Sequence, residues 1–102
     1  HIPTVELVRG DALDTIPEYV ANNKWVVISL LYLDFDLYEP TLCALEHLEP
    51  LVPKGGVIAF DEVNQRRWEG ETIAMKEKLD IGKVKLRCFN YEPHVSYYIK
   101  GE

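Results

Sequence analysis

The run WVVISLLYL, Trp25 to Leu33, is apolar almost without interruption, rich in β-branched and aromatic side chains, and ends abruptly in Asp34-Phe35-Asp36. A strand with one face in water alternates polar and apolar positions, whereas one that is apolar throughout is covered on both faces, as in parallel sheets flanked by helices. The run is far shorter than the roughly 20 residues that a membrane span requires. It is therefore expected to be a central strand of an α/β fold, and the rest of the chain can be set around it.

Ahead of it, Val5 to Val8 has a short strand pattern, Gly10-Asp11 breaks it, and Asp14-Thr15 offers helix caps for an apolar face of Ile16, Tyr19 and Val20. After it, Pro40 suits a first helical turn and Leu42, Leu45 and Leu48 recur at helical spacing until Pro50 to Gly56 stops them. Val57 to Phe60 is a second buried strand, closed by Asp61-Glu62, and Gly70-Glu71-Thr72 opens a helix through Ile73, Met75 and Leu79. Val84 to Phe89 and Val95 to Ile99 read as strands joined by Asn90 to His94, a connection too short for a crossover helix, so this pair is antiparallel. Three β-then-α units followed by a hairpin predict an α/β sheet, mostly parallel, with a C-terminal antiparallel hairpin.

Length and charge narrow the function. A chain of 102 residues makes one domain. Its 11 Lys plus Arg against 17 Asp plus Glu, net charge -6, with no basic run beyond Arg66-Arg67, argue against nucleic acid as a partner. With no apolar run long enough to span a bilayer and no charged leader, the expectation is a soluble, cytoplasmic protein without a membrane partner. Cys43 and Cys88 form no CxxC or Cys/His cluster, and both are expected to be buried as small apolar groups. His47 and His94 have no Ser, Cys or second His at a telling distance, and both read as ordinary helix-surface and turn residues.

The chemistry gathers at the strand ends. In open α/β sheets ligands bind beyond the carboxyl ends of the strands, and Asp34 and Asp36 end one apolar strand while Asp61 and Glu62 end the next. If those strands are neighbours, the carboxylates crowd together. A hard divalent cation such as Mg²⁺ would compensate the charge and polarise a bound hydroxyl; alternatively the carboxylates cap the helices that follow. A further alternative is that LDFDLYEPT is the DxDx(T/V) signature of haloacid dehalogenase-like phosphotransferases, although Tyr38 stands where that family uses Thr or Val.

The segments Val5 to Ala12, LYLDFDLYEPT, KGGVIAFDE at Lys54 to Glu62, WEGET at Trp68 to Thr72, and the terminal hairpin together resemble the C-terminal part of a class I S-adenosylmethionine-dependent methyltransferase. More narrowly, they resemble the TylF-like family of macrocin O-methyltransferases. The resemblance implies S-adenosylmethionine as cofactor and a divalent metal, Mg²⁺ or another, at Asp34, Asp61 and Glu62, the family's pair being more usually Asp-Asp. It also implies Asp34 as general base and as a contact of the cofactor, Asp36 as the alternative for the metal or base role, Asp11 beside the adenine of the cofactor, where the local sequence equally allows an ordinary turn or helix-start aspartate, and a sugar or other hydroxylated small molecule as acceptor. Asn64, Trp68 and Glu71 fall where that acceptor would be recognised, although Trp68 is first expected to close the core and only alternatively to stack on a sugar.

The same resemblance defines a deficit. The fold it implies has strand order 3-2-1-4-5-7-6, with a glycine-rich cofactor loop after the first strand, and no GxGxG occurs in this sequence. The chain is then the C-terminal part of a partial Rossmann-like methyltransferase sheet, beginning just before the third strand. Trp25 to Leu33 becomes an edge, and Val5 to Val8 is expected to pair with it, within the chain or across a homodimer. A non-catalytic remnant that dimerises through this edge is the alternative to an enzyme fragment.

Overall fold

The computed structural model describes residues 5–35, 37–61, 86–89 and 92–102. Residues 5–9 run without regular structure, and Gly10, at φ +131°, turns the chain into helix α1, Ala12–Asn22. A Cβ at Gly10 would stand 2.9 Å from Thr15 Cγ2, and a positive φ strains any other residue, so glycine is required at this corner. Asp11 caps the helix: its Oδ1 accepts from the Leu13 amide at 2.9 Å and its carbonyl accepts from the amides of Asp14 and Thr15. The cap thus lies ahead of Asp14-Thr15, because the left-handed turn at Gly10 already puts Asp11 at the helix mouth.

Strand β1 is Leu30–Leu33, helix α2 Tyr38–Leu48, strand β2 Val57–Phe60, strand β3 Arg87–Phe89 and strand β4 Glu92–Ile99, with a 3-10 turn at Glu49–Leu51 closing α2. The sheet order is β1-β2-β4-β3. It is the 4-5-7-6 succession that the family resemblance implies, with β1 and β2 parallel and the two remaining pairs antiparallel. No described helix is long and apolar enough to cross a membrane.

Alternation along the strands divides the sheet into two faces. Leu31, Leu33, Ile58, Phe60 and Tyr98 turn to one side and form the core with Ala44 and Leu45 of α2 and with Val52. Thr41, fully buried in α2, satisfies its hydroxyl on the Leu37 carbonyl at 2.7 Å. On the opposite side lie Leu30 and Tyr32, both exposed, and the buried Ala59, register partner of Tyr32.

Several expectations are corrected here. The strand expected over Trp25 to Leu33 is only its last four residues, and Trp25 is 95 % exposed. The partner strand β2 is four residues long; the Val57 amide reaches back to the Ser29 carbonyl (2.9 Å), whereas the Ile28 amide donates to the Leu51 carbonyl of the 3-10 turn (3.0 Å) rather than to a strand. Nor is β1 covered on both faces, since its burial alternates. Val5 to Val8 is exposed and, among the described residues, joins no strand; Glu6, Val8, Leu30 and Tyr32 instead line one cleft of about 550 Å³, so the segment lies near the edge without pairing to it. Cys43 is buried, but Cys88 is exposed, because β3 is the outermost strand and the core does not extend over it. Strand β4 begins at Glu92 rather than Val95, its extra length pairing only with β3 across an irregularity at Cys88/Phe89. The helix expected from Gly70 lies outside the described residues.

Candidate functional site

β1 and β2 are parallel, with Leu33 and Phe60 as register partners, so the residues that follow them, Asp34 and Asp61, leave the sheet at the same level from adjacent strands. Neighbouring strands lie about 4.8 Å apart. The Asp61 amide donates to the Leu33 carbonyl at 3.0 Å, which extends the ladder one rung and holds the two strand ends together. Asp34 is exposed and Asp61 half-buried. The two carboxylates expected to share a site are therefore brought to one sheet end by the parallel pairing.

The structure adds a residue that the sequence did not single out. Tyr32 stands two positions before Asp34 on the sheet face opposite the core, with Ala59 as its partner across the β1–β2 pair. Asp61 follows Ala59 by two positions on the same face, and the small Ala59 side chain lets the Tyr32 ring reach past it. The Tyr32 hydroxyl donates to Asp61 Oδ1 at 2.6 Å, a length typical of a charge-assisted hydrogen bond.

Asp11 occupies the N-terminus of α1, where its carboxylate is the helix cap. It is close enough to Cys43, in the second turn of α2, to contribute with Glu46 to raising that thiol's pKa, after burial, which is the larger cause. Asp11 therefore lies beside the middle of α2. Asp36, Glu62, Asn64, Trp68 and Glu71 lie outside the described residues, and so does the side chain of His94.

His47 is half-buried, its Nδ1 2.9 Å from the Cys43 carbonyl and 3.7 Å from Cys43 Sγ. A cysteine thus lies one helical turn from this histidine, contrary to the sequence reading, and the i, i+4 spacing was the available signal. Burial raises the Cys43 pKa and so disfavours the thiolate, the reactive form.

Among the described residues no group of three or more His, Cys, Asp or Glu is placed to hold a metal ion. Asp34 and Asp61 supply two carboxylates, oxygen donors whose hardness and charge suit Mg²⁺ or Mn²⁺. In donor chemistry the two fit such an ion.

A half-sheet whose first parallel strands end in carboxylates, with an antiparallel hairpin beyond, defines the C-terminal side of a methyltransferase fold. The chain belongs to the macrocin O-methyltransferase (TylF) family, whose profile matches residues 2–84. It superposes with a TM-score of 0.89 and 42 % identity on the apo structure of CalS11, a TDP-rhamnose 3'-O-methyltransferase of calicheamicin biosynthesis, over 93 % of this chain and 40 % of that one. A second CalS11 structure, described as a calicheamicin methyltransferase, gives the same score and identity over 37 % of its length. The O-methyltransferase NovP matches with a TM-score of 0.60 and 25 % identity, over 74 % of this chain and 31 % of NovP. The chain thus spans well under half the length of these relatives. No curated protein matches it. None of these similarities supports the phosphotransferase reading of the Asp34 segment.

Proposed function

We propose that the chain is the metal and acceptor side of a cytoplasmic, S-adenosylmethionine-dependent O-methyltransferase acting on a sugar hydroxyl or a similar small-molecule hydroxyl. The observation that carries this reading is the pairing of Asp34 and Asp61 at the ends of adjacent parallel strands, in a chain 42 % identical to a sugar O-methyltransferase over nearly its whole length.

Methyl transfer to a sugar oxygen is limited by the hydroxyl, whose pKa lies far above 7. Asp34, Asp61 and Glu62 would hold a divalent cation, which when bound supplies the positive charge that favours the ionised hydroxyl. S-adenosylmethionine, when bound, would supply the electrophilic methyl group, and Asp11 would contact its adenine side. The chain's own contribution to the step is a proton acceptor: the exposed Asp34 carboxylate takes the hydroxyl proton as the oxygen attacks, with Asp36 as the alternative acceptor. Asn64 and Trp68 would orient the acceptor. Asp61, half-buried and fixed by backbone and side-chain hydrogen bonds, has the rigidity expected of a ligand rather than of a proton carrier.

Calorimetric titration with S-adenosylmethionine and with Mg²⁺ or Mn²⁺ tests the reading on the wild type and on Asp61→Ala. Metal binding that disappears in the variant supports it; metal binding unaffected by the substitution, or absent from the wild type, overturns it.

A further inference from the structure

The geometry points to Tyr32 as a positioning residue for the metal carboxylate Asp61, an inference that rests on the metal site proposed above. Three observations support it. The Tyr32 hydroxyl lies 2.6 Å from Asp61 Oδ1, a close side-chain hydrogen bond. The partners come from different strands and are 29 residues apart in sequence, so the bond depends on register: Tyr32 pairs with Ala59, and Asp61 is the next residue on that face. Tyr32 also faces away from the core that Leu31 and Leu33, on either side of it, help to form.

The physical argument is one of orientation. An Asp side chain at a strand end rotates freely about two bonds, and a ligand that must be frozen on binding loses affinity through that lost freedom. One hydrogen bond to Oδ1, combined with the amide bond from Asp61 to the Leu33 carbonyl, fixes both ends of the residue. Oδ2 is then the oxygen left to a cation. The same bond also draws charge from the carboxylate, which by itself would weaken ligation. Removing such outer partners of metal ligands characteristically lowers metal affinity, by about 10- to 100-fold, so orientation outweighs withdrawal. The deep pairing of β1 with β2 therefore does more than place Asp34 beside Asp61: it brings a tyrosine from the first strand to orient the ligand on the second.

The test is Mn²⁺ titration of the chain as wild type, Tyr32→Phe, Tyr32→Leu and Asp61→Asn, with melting temperatures of all four taken in EDTA. The expected result is Mn²⁺ binding by the wild type, loss in Asp61→Asn, and a roughly 10-fold weaker Kd in both Tyr32 variants with metal-free melting temperatures close to wild type. Wild-type affinity in Tyr32→Phe, with Asp61→Asn still defective, overturns the role of Tyr32 and leaves the metal site standing. A loss confined to Tyr32→Leu also overturns it, since the ring and not the hydroxyl would then be responsible. Equal binding by the wild type and Asp61→Asn, or no binding by either, removes the metal site and the role of Tyr32 with it.

Discussion

The Tyr98 hydroxyl donates to Glu49 Oε2 at 3.1 Å, joining the penultimate residue of β4 to the 3-10 turn that ends α2. Lys100 completes the contact, its Nζ donating to the Glu49 carbonyl at 2.8 Å and to Oε1 at 3.2 Å. Burial, and then the Glu49 carboxylate, raise the Tyr98 pKa well above its usual 10.0. A group whose pKa rises on folding is stabilising in its protonated form, so this contribution is complete below pH 10 and is lost as pH climbs through the folded value. Tyr98→Phe should cost about 2 kcal/mol at neutral pH, the scale of a hydrogen bond to a charged acceptor. It should also flatten the loss of stability above pH 10. Denaturation midpoints at pH 7 and across the alkaline range check both.

Gly56 is buried where the chain turns into β2, and a Cβ there would stand 2.5 Å from Cγ1 of the fully buried Val52 and 3.1 Å from the Pro53 carbonyl oxygen. Neither neighbour can retreat, one being packed in the core and the other backbone. Gly56→Ala should therefore cost about 1–3 kcal/mol, as overpacking does. Urea denaturation should show a lower midpoint with an unchanged slope.

The two thiols should react at distinct rates. Cys88 is exposed, while Cys43 is buried with its pKa raised by burial, Glu46 and Asp11. At pH 8 a disulfide reagent should modify one thiol quickly and the other slower by at least about an order of magnitude, because the thiolate is the attacking form. Cys88→Ser should leave only the slow phase, and equal rates in the wild type would contradict the placement of Cys43.

How far the sequence carried depends on what each feature rests on. Val57 to Phe60 was legible because a short apolar run between turn residues has few other uses, and the order of the four strands followed from the family resemblance. The first half of Trp25 to Leu33 misled because apolarity reports a tendency to be covered, whereas membership of the sheet here is limited by the four-residue length of β2. Asp34 and Asp61 were legible as strand-end carboxylates. Tyr32 was not, because its bond to Asp61 is created by inter-strand register, which no periodicity within one strand encodes. Cys88 looked like a core residue by type, and only its place on the outermost strand shows otherwise.

Asp11 has a capping role that the structure displays and a cofactor role that is proposed, and the two separate by substitution. Asp11→Ala removes the oxygen that accepts from the Leu13 amide and should cost about 1 kcal/mol. Asp11→Ser retains a capping oxygen and should recover most of that loss in thermal unfolding. If Asp11 also contacts the cofactor, S-adenosylmethionine titration should show weakened binding in both variants. Wild-type affinity in Asp11→Ser would leave the residue a cap alone.

The open β1 edge makes a prediction about assembly. One side of β1 is paired to β2, and on the other side, among the described residues, no strand continues the ladder. Leu30 on that strand is 58 % exposed, and the adjoining cleft of about 550 Å³ is lined by Ile16, Val20, Ile28, Leu31 and Leu51. An edge that is both unpaired and apolar invites another strand, and natural edges are commonly blunted by lysine. In sedimentation velocity over a concentration series, the wild type should sediment as a dimer at high concentration, and Leu30→Lys should shift it to monomer. The substituted side chain already points to solvent in the single chain, so the variant should keep the wild-type circular dichroism spectrum. A wild type that stays monomeric up to about millimolar concentration would show that this edge does not pair two copies, and would leave the rest of a longer methyltransferase chain as its natural cover.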